Sequence, residues 1–326
     1  MRIRGGCAVL WRQQGVSQIG TSPERRIIIN DLSLAEQRLL DELARSLEVG
    51  GVYRTARRSR VPVARARQIV EDLKHQGIVV PSTASEPGGA DGVYWDRLGT
   101  DAKSRATVLS QTILAVHGIS ALAQEAALWL AEAGVGTILS TLAPKDGGLE
   151  PLLSARFPAL RTRAPLRTRP DVMVTVDPHV VEPLLARRLA QEGVIHLPVV
   201  VGEAGVRIGP VLGGGGPCAT CLDLWERDAD PCWPALATQM RTLPMPDVEH
   251  LVLHESAALT ARAAIDTILG QAASVSDPGD GSGHDGDPLG RSATWWARHS
   301  AEVTGQEPLG RQRAWERHPE CLCSQL

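Results

Sequence analysis

Apolar residues come in short runs over residues 6–31 and then switch to a helical period. Cys7–Trp11 suits a strand, Gln14-Gly15 turns the chain into Val16–Ile19, and Thr21-Ser22-Pro23 turns it again into Arg26–Ile29. Asp31 or Ser33 can cap a helix carrying Leu34, Leu39, Leu40, Leu43 and Leu47 on one face. Gly50-Gly51 stops it, and a shorter helix follows around Val52–Arg57. Pro62 opens another, with Val63, Ala66, Ile69, Val70 and Leu73 as its buried stripe. Gly77 ends that helix, and Ile78–Val80 closes the unit as a strand. This order of strands and helices predicts a small winged helix-turn-helix domain over residues 1–82.

Residues 83–105 contain Glu86-Pro87-Gly88-Gly89 and read as a linker. Beyond it, from 106 to 326, the pattern is that of an α/β domain. Gln111–Val116 is a buried-type strand, Gly118 follows, and an apolar helix runs from Ala121 to Ala133. Gly134-Val135-Gly136 leads into a second strand, Thr137–Ser140, which makes the βαβ start of a Rossmann-type nucleotide sheet. Its phosphate loop is degenerate. After Gly118, the positions that should be glycine are Ser120 and Ala123, and the second strand runs into Thr141-Leu142-Ala143 with no ribose-binding acid. Val172–Val176 and Ile195–Val201 continue as strands around a helix at Val180–Gln191. His196 reads as a core or rim histidine, not a ligand. A helix is expected over Asp223–Asp230, another over Ala235–Arg241 and a longer one over Glu255–Leu269. Residues 274–290, rich in Asp and Gly, lack calcium-loop spacing and read as a flexible loop. Residues 292–316, with Trp295, Trp296 and Trp315, read as two strands.

Charge changes the picture of the front end. The chain of 326 residues has a net charge of only -3, yet residues 1–82 hold 14 Lys and Arg against 8 Asp and Glu. The remainder holds 20 against 29, so a basic small domain precedes an acidic large one. The run Arg54, Arg57, Arg58, Arg60, Arg65, Arg67 suits DNA, a merely solvated basic face, or an acidic peptide. In the peptide version, an extended segment adds as a strand beside Arg26, Ile28 and Asn30. It lies against the helix bearing Arg65, Ile69 and Leu73. No secretory h-region and no apolar run of spanning length is present, so a cytoplasmic protein without a membrane segment is expected.

Four of the six cysteines form two short pairs, Cys218-Ala219-Thr220-Cys221 and Cys321-Leu322-Cys323. Two such pairs complete a tetrahedral sulfur shell, the usual cage of a structural zinc, and leave no open position for catalysis. A redox CxxC would open a helix directly after a strand, whereas this one follows the glycine run Gly213–Gly216 and Pro217. Two disulfides would be the other use, and they are rare in a reducing compartment. His318 is a further candidate ligand, although four sulfurs already fill the shell. Cys7 and Cys232 read as small buried or half-buried residues, with Cys232 the candidate alternative ligand or reactive thiol.

These segments resemble the ThiF/MoeB superfamily of ubiquitin-activating-like adenylyltransferases. Gly118 falls on its first loop glycine, and Gly134 and Gly136 on its Gly-Val-Gly after the helix. More closely, His196-Leu197-Pro198, Gly216–Leu224, Asp228–Pro234 and His318–Cys323 resemble the ThiF-like partner proteins of thiazole/oxazole-modified peptide (bacteriocin-type) biosynthesis. That resemblance, which covers nearly the whole chain, implies a winged helix that holds the leader of a ribosomal precursor peptide as an added strand. It also implies a non-catalytic ThiF-like body that docks a YcaO-type, ATP-dependent cyclodehydratase. It further implies a structural zinc, no bound ATP and, in relatives, pairing into a homodimer. Ser120, Ala123 and Leu142 depart from an active adenylyltransferase, although Asp177 sits near where one acid would fall. An active ATP-dependent adenylyltransferase is the alternative, and a DNA-binding regulator stands behind it.

Overall fold

The computed structural model describes residues 2–45, 51–80, 89–141, 148–165, 167–213, 215–276 and 288–324. The chain forms two compact units, Met1–Ala106 and Thr107–Leu326.

The front unit opens with β1 (Arg2–Ile3), then β2 (Val9–Gln13), β3 (Val16–Ile19) and β4 (Ile27–Ile29). The last three form an antiparallel sheet in the order β2-β3-β4. Gly15, at φ 81°, makes the tight turn between β2 and β3. The side chain of Gln37 clamps that turn. Its amide donates to the carbonyls of Gln13 and Val16 and to Ser17 Oγ, and its oxygen accepts from the Gly15 N–H at 2.9 Å. Gln37 lies on α1 (Leu34–Arg45) and is fully buried. That helix starts on a reciprocal cap: the Ser33 N–H donates to Glu36 Oε2 at 2.6 Å, and the Glu36 N–H donates to Ser33 Oγ at 3.3 Å. α2 (Gly51–Ser59) and α3 (Val63–His75) follow, separated by a turn in which Arg60 adopts φ 58°. Ala66, Ile69, Val70 and Leu73 of α3 are buried among Leu39, Leu40 and Ala56, as the pattern predicts, while Val63 of the same stripe is half-buried. The closing strand β5 (Val79–Val80) pairs with β1, whose two residues are too few to show a pattern.

The stretch read as a linker is helical over α4 (Gly89–Arg97), and α5 (Ala102–Gln111) begins within it. Asp96 explains why α4 is fixed. Its buried carboxylate pairs with Arg2 and accepts the N–H of Gly5. A short polar helix of this kind is invisible to apolar periodicity, because a buried ion pair and not an apolar stripe holds it.

The second unit is a seven-stranded mixed sheet. Its first βαβ comprises β6 (Ile113–His117), α6 (Ala121–Glu132) and β7 (Thr137–Ser140), followed by α7 (Glu150–Arg156). Then come β8 (Val172–Pro178), α8 (Pro183–Gln191), β9 (Ile195–Val201) and β10 (Gly205–Ile208). After these run α9 (Ala219–Ala229), α10 (Trp233–Met240), α11 (His250–Ser276), α12 (Pro288–Trp296), β11 (His299–Thr304) and β12 (Arg311–Ala314). The spatial order is β12-β11-β10-β9-β8-β6-β7. β6 pairs in parallel with β7 and β8, and β8 with β9. The remaining pairs are antiparallel. β8 and β9 are buried along nearly their whole length, which is why they read as continuous apolar runs. One sheet face packs Leu114, Val116, Val174 and Leu197 against Ala127 and Leu130 of α6 and Ala264 and Ile268 of α11. The other carries a smaller apolar cluster of Ala115, Met173, Leu189 and Val194.

Two expectations are corrected here. Residues 292–296 are the end of helix α12, so the tryptophan-rich stretch is a helix followed by two strands. Cys232 is exposed at the start of α10, neither buried nor half-buried. Most of the flexible loop expected over 274–290 lies outside the described residues; 274–276 end α11, and Pro288 begins α12. Among the described residues, no helix is long and apolar enough to cross a membrane.

Candidate functional site

The two cysteine pairs meet. Cys218 caps α9 and Cys221 lies in its first turn, while Cys321 and Cys323 arrive at the end of the chain. Cys218 Sγ is 3.7 Å from Cys221 Sγ and 3.6 Å from Cys321 Sγ, and Cys221 Sγ is 3.5 Å from Cys323 Sγ. All four sulfurs lie within 4.8 Å of one another. A tetrahedron with Zn–S bonds of about 2.3 Å has edges of about 3.8 Å, so these spacings match a metal cage. They are far beyond the S–S bond of about 2.05 Å in a disulfide, and all four are free thiols. The four can hold a metal ion such as zinc.

The four thiols also perturb one another. Burial resists ionisation of Cys221, yet backbone hydrogen bonds with His318 and Cys218 and its thiol neighbours outweigh it. They bring its pKa down to about 7. Burial and then the neighbouring thiols push Cys323 up, and burial pushes Cys321 up. Four thiolates so close can all ionise only around a cation.

The last glycine of the run, Gly216, has a steric cause. A Cβ on Gly216 would fall 2.2 Å from the carbonyl oxygen of Ala297. Below the cluster, Leu212, Leu222 and Trp315 pack together. Trp315 Nε1 donates to Ser300 Oγ at 2.8 Å, and the Arg313 guanidinium lies 3.8 Å above its ring. Arg313 also pairs with Glu226 of α9 at 2.6 Å. His318 is buried beside Trp225 and bonded to Asp228, an arrangement that no short-range pattern in the residues signals.

The loop after β6 sits where strand order reverses between β7 and β8, the place nucleotides occupy in such sheets. Gly118 is at φ 138°, and a Cβ there would meet Val176 Cβ at 3.2 Å and Ala123 Cβ at 3.3 Å. Ser120 caps α6, its Oγ accepting the Ala123 N–H at 3.3 Å. Beyond it, a buried polar row crosses the smaller face. Thr175 Oγ1 donates to Asp177 Oδ2 at 2.8 Å and lies 2.9 Å from His196 Nε2. Burial, with His117 nearby, depresses His196 to about 4, and its Nδ1 has no partner. Burial raises the Asp177 carboxyl. His196 is thus a core residue, as its strand position suggested.

In the front unit, Arg26, Ile28 and Asn30 are exposed along and just beyond β4, the open edge of the three-stranded sheet. The Gly20 N–H bonds the Ala8 carbonyl, so bonding alternates along β3. Gln18 therefore bonds across to Leu10, while Ser17 and Ile19 bond to Ile29 and Ile27. This leaves the N–H and C=O of Ile28 facing outward. Arg65 is half-exposed and pairs with Glu36 at 2.6 Å. Ile69 and Leu73 are 5% and 2% exposed and belong to the core beneath the sheet. The residue types that suggest a groove lining are the same types that build a core, and only the tertiary packing separates them.

The mixed seven-stranded sheet with its crossover helix matches a ThiF/MoeB-like fold. Among solved structures, MccB of E. coli with MccA superposes with a TM-score of 0.63 at 11% identity, covering 98% of each chain. The microcin C7 biosynthetic enzyme MccB in complex with N-formylated MccA gives 0.63 at 12% identity, again over 98% of each chain. A heterocyclase in complex with substrate and cofactor gives 0.66 at 14% identity, covering 98% of this chain and 39% of that one. No protein-family model matches the chain, and no curated protein sequence does.

Proposed function

We propose that this protein captures the leader of a ribosomally made precursor peptide, in biosynthesis of the azoline/thiazole class, and presents it to a separate YcaO-type cyclodehydratase that closes azoline rings with loss of water. The single observation that carries this reading is the near-complete fold likeness, over 98% of this chain, to a peptide-bound MccB and to a substrate-bound heterocyclase. The front unit, read as a winged helix, offers the edge of β4 for strand addition. Arg26, Ile28 and Asn30 make the contact, and basic groups nearby favour an acidic leader. Ile69 and Leu73 support the site from within the core, and Arg65 borders it through its pair with Glu36. The body acts as a non-catalytic platform, held by a structural zinc on Cys218, Cys221, Cys321 and Cys323. On this reading ATP is not bound, since Ser120 and Ala123 stand where a phosphate loop has glycine. The protein works in the cytoplasm and pairs as a homodimer. On this reading the partner is a peptide and not nucleic acid; of the basic run, Arg65 is paired with Glu36 at 2.6 Å.

Ile28→Pro tests the peptide site. Proline there removes the outward N–H and the isoleucine side chain but no hydrogen bond of the sheet itself, so the sheet persists while an added strand loses its donor. Fluorescence anisotropy with a labelled leader should show binding to the wild type, weakened about tenfold or more in the variant. Unchanged affinity would refute strand addition at β4. A second reading, an active adenylyltransferase, is favoured by the likeness to MccB solved with ATP. ATP–pyrophosphate exchange with the precursor decides between them, and none is expected.

A further inference from the structure

We propose that His318 is a positioning residue that locks the two thiolate pairs into one metal cage, and that Asp228 holds it there. The inference rests on the metal reading of the four cysteines given above.

His318 touches both pairs through its main chain. Its carbonyl accepts the N–H of Cys321 at 2.9 Å, and its backbone is hydrogen-bonded to the Cys221 sulfur. A four-thiolate site carries excess negative charge around a divalent ion, and N–H donors to sulfur offset it. Whatever fixes the main chain at 318 therefore fixes the spacing of the pairs and the charge on the sulfurs.

The side chain does that fixing. A backbone N–H can only donate, so the Glu320 N–H, 3.1 Å from Nδ1, makes Nδ1 the acceptor. Nε2 then carries the ring proton and donates to Asp228 Oδ2 at 2.9 Å. The other oxygen of Asp228 takes Arg227 at 2.6 Å, and Arg227 reaches Glu320 at 2.8 Å. The ring of bonds closes on itself: His318, Asp228, Arg227, Glu320 and back to His318. Two members come from α9, which carries Cys218 and Cys221, and two from the tail, which carries Cys321 and Cys323. Trp225 of the same helix packs edge-on to the imidazole at 4.7 Å. Both ring nitrogens are occupied and the side chain is 1% exposed, so His318 has no lone pair to offer the metal. It orients ligands and is not one, as hydrogen-bonded outer groups do in other metal sites.

The test uses the full-length, zinc-loaded protein and three variants: Asp228→Ala, Asp228→Asn and His318→Ala. Asparagine keeps an oxygen facing the Nε2 proton; alanine does not. Zinc transfer to an excess of a chromogenic chelator should run about 10–100-fold faster in Asp228→Ala than in the wild type. Asp228→Asn should stay near the wild-type rate. In the cobalt-substituted protein, the thiolate-to-metal charge-transfer band should move to lower energy in Asp228→Ala and not in Asp228→Asn. Far-UV circular dichroism confirms that the Asp228 variants are folded, so a collapse of His318→Ala alone would leave the test standing on them. Equal release rates and equal spectra in Asp228→Ala and wild type would overturn the proposal with the metal reading intact. A wild type that binds no stoichiometric metal would overturn both.

Discussion

Chelation should loosen the end of this chain without unfolding its core, and the geometry says by how much. In sequence, the staple joins residues 103 apart. A cross-link closing a loop of that length in an otherwise free chain contributes about 4.7 kcal/mol by loop entropy. Here the tail is already held before it reaches the cysteines. β12 is paired along Arg311–Ala314, and Trp315 is buried with its indole bonded to Ser300. Only a handful of residues lie between Trp315 and Cys321, and His318 and Glu320 among them are tied to α9, so the loop that the metal itself closes is short. The same relation then yields about 2 kcal/mol. Metal removal should therefore raise amide exchange over residues 316–324 and in the first turn of α9. Exchange in β8 and β9 should change little. Hydrogen exchange with and without a strong chelator, read by mass spectrometry, is the assay. Loss of protection throughout the second unit on chelation would refute the reasoning, and so would no change in the tail.

Three other outcomes follow from the packing. Gln37→Ala leaves the Gln13 and Val16 carbonyls and the Gly15 N–H without their partner. It should cost about 2–4 kcal/mol in urea unfolding of the front unit. Gly216→Ala drives a Cβ into the Ala297 carbonyl, so the loop before Cys218 must shift and zinc stoichiometry should fall below one. His196 titrates near 4 in the folded chain and near 6.5 when unfolded, so the unfolded state binds more protons between those values. That contribution is present above pH 6.5 and lost as pH falls toward 4, on the order of 3 kcal/mol in all. His196→Gln should flatten the pH dependence of stability across that window, and an unchanged profile would contradict the burial argument.

Much of this is legible in the residues. Both cysteine pairs, the helical stripe of α3 and the strand–glycine–helix of β6 and α6 carry short-range patterns that survive in sequence. What escapes depends on distant partners. β1 is two residues that mean nothing without β5. α4 is held by Asp96 reaching Arg2, an ion pair across more than ninety positions. The tryptophans of α12 suggest a strand, because aromatics favour strands; here Trp296 is buried in the core against the sheet instead. Ile69 and Leu73 match a groove and a core equally well. His318 resembles a spare ligand because sequence shows residue type and not which nitrogen is already taken.

On the proposed function, this chain serves another enzyme's chemistry and performs none itself. Reconstitution tests it most directly. Precursor peptide, ATP and the YcaO-type enzyme are incubated with and without this protein, and the peptide mass is followed. Loss of one water per ring only when the chain is present, and its suppression by Ile28→Pro, is the expected result. Ring formation at the same rate without the chain, or an adenylated peptide made by the chain alone, would contradict the account.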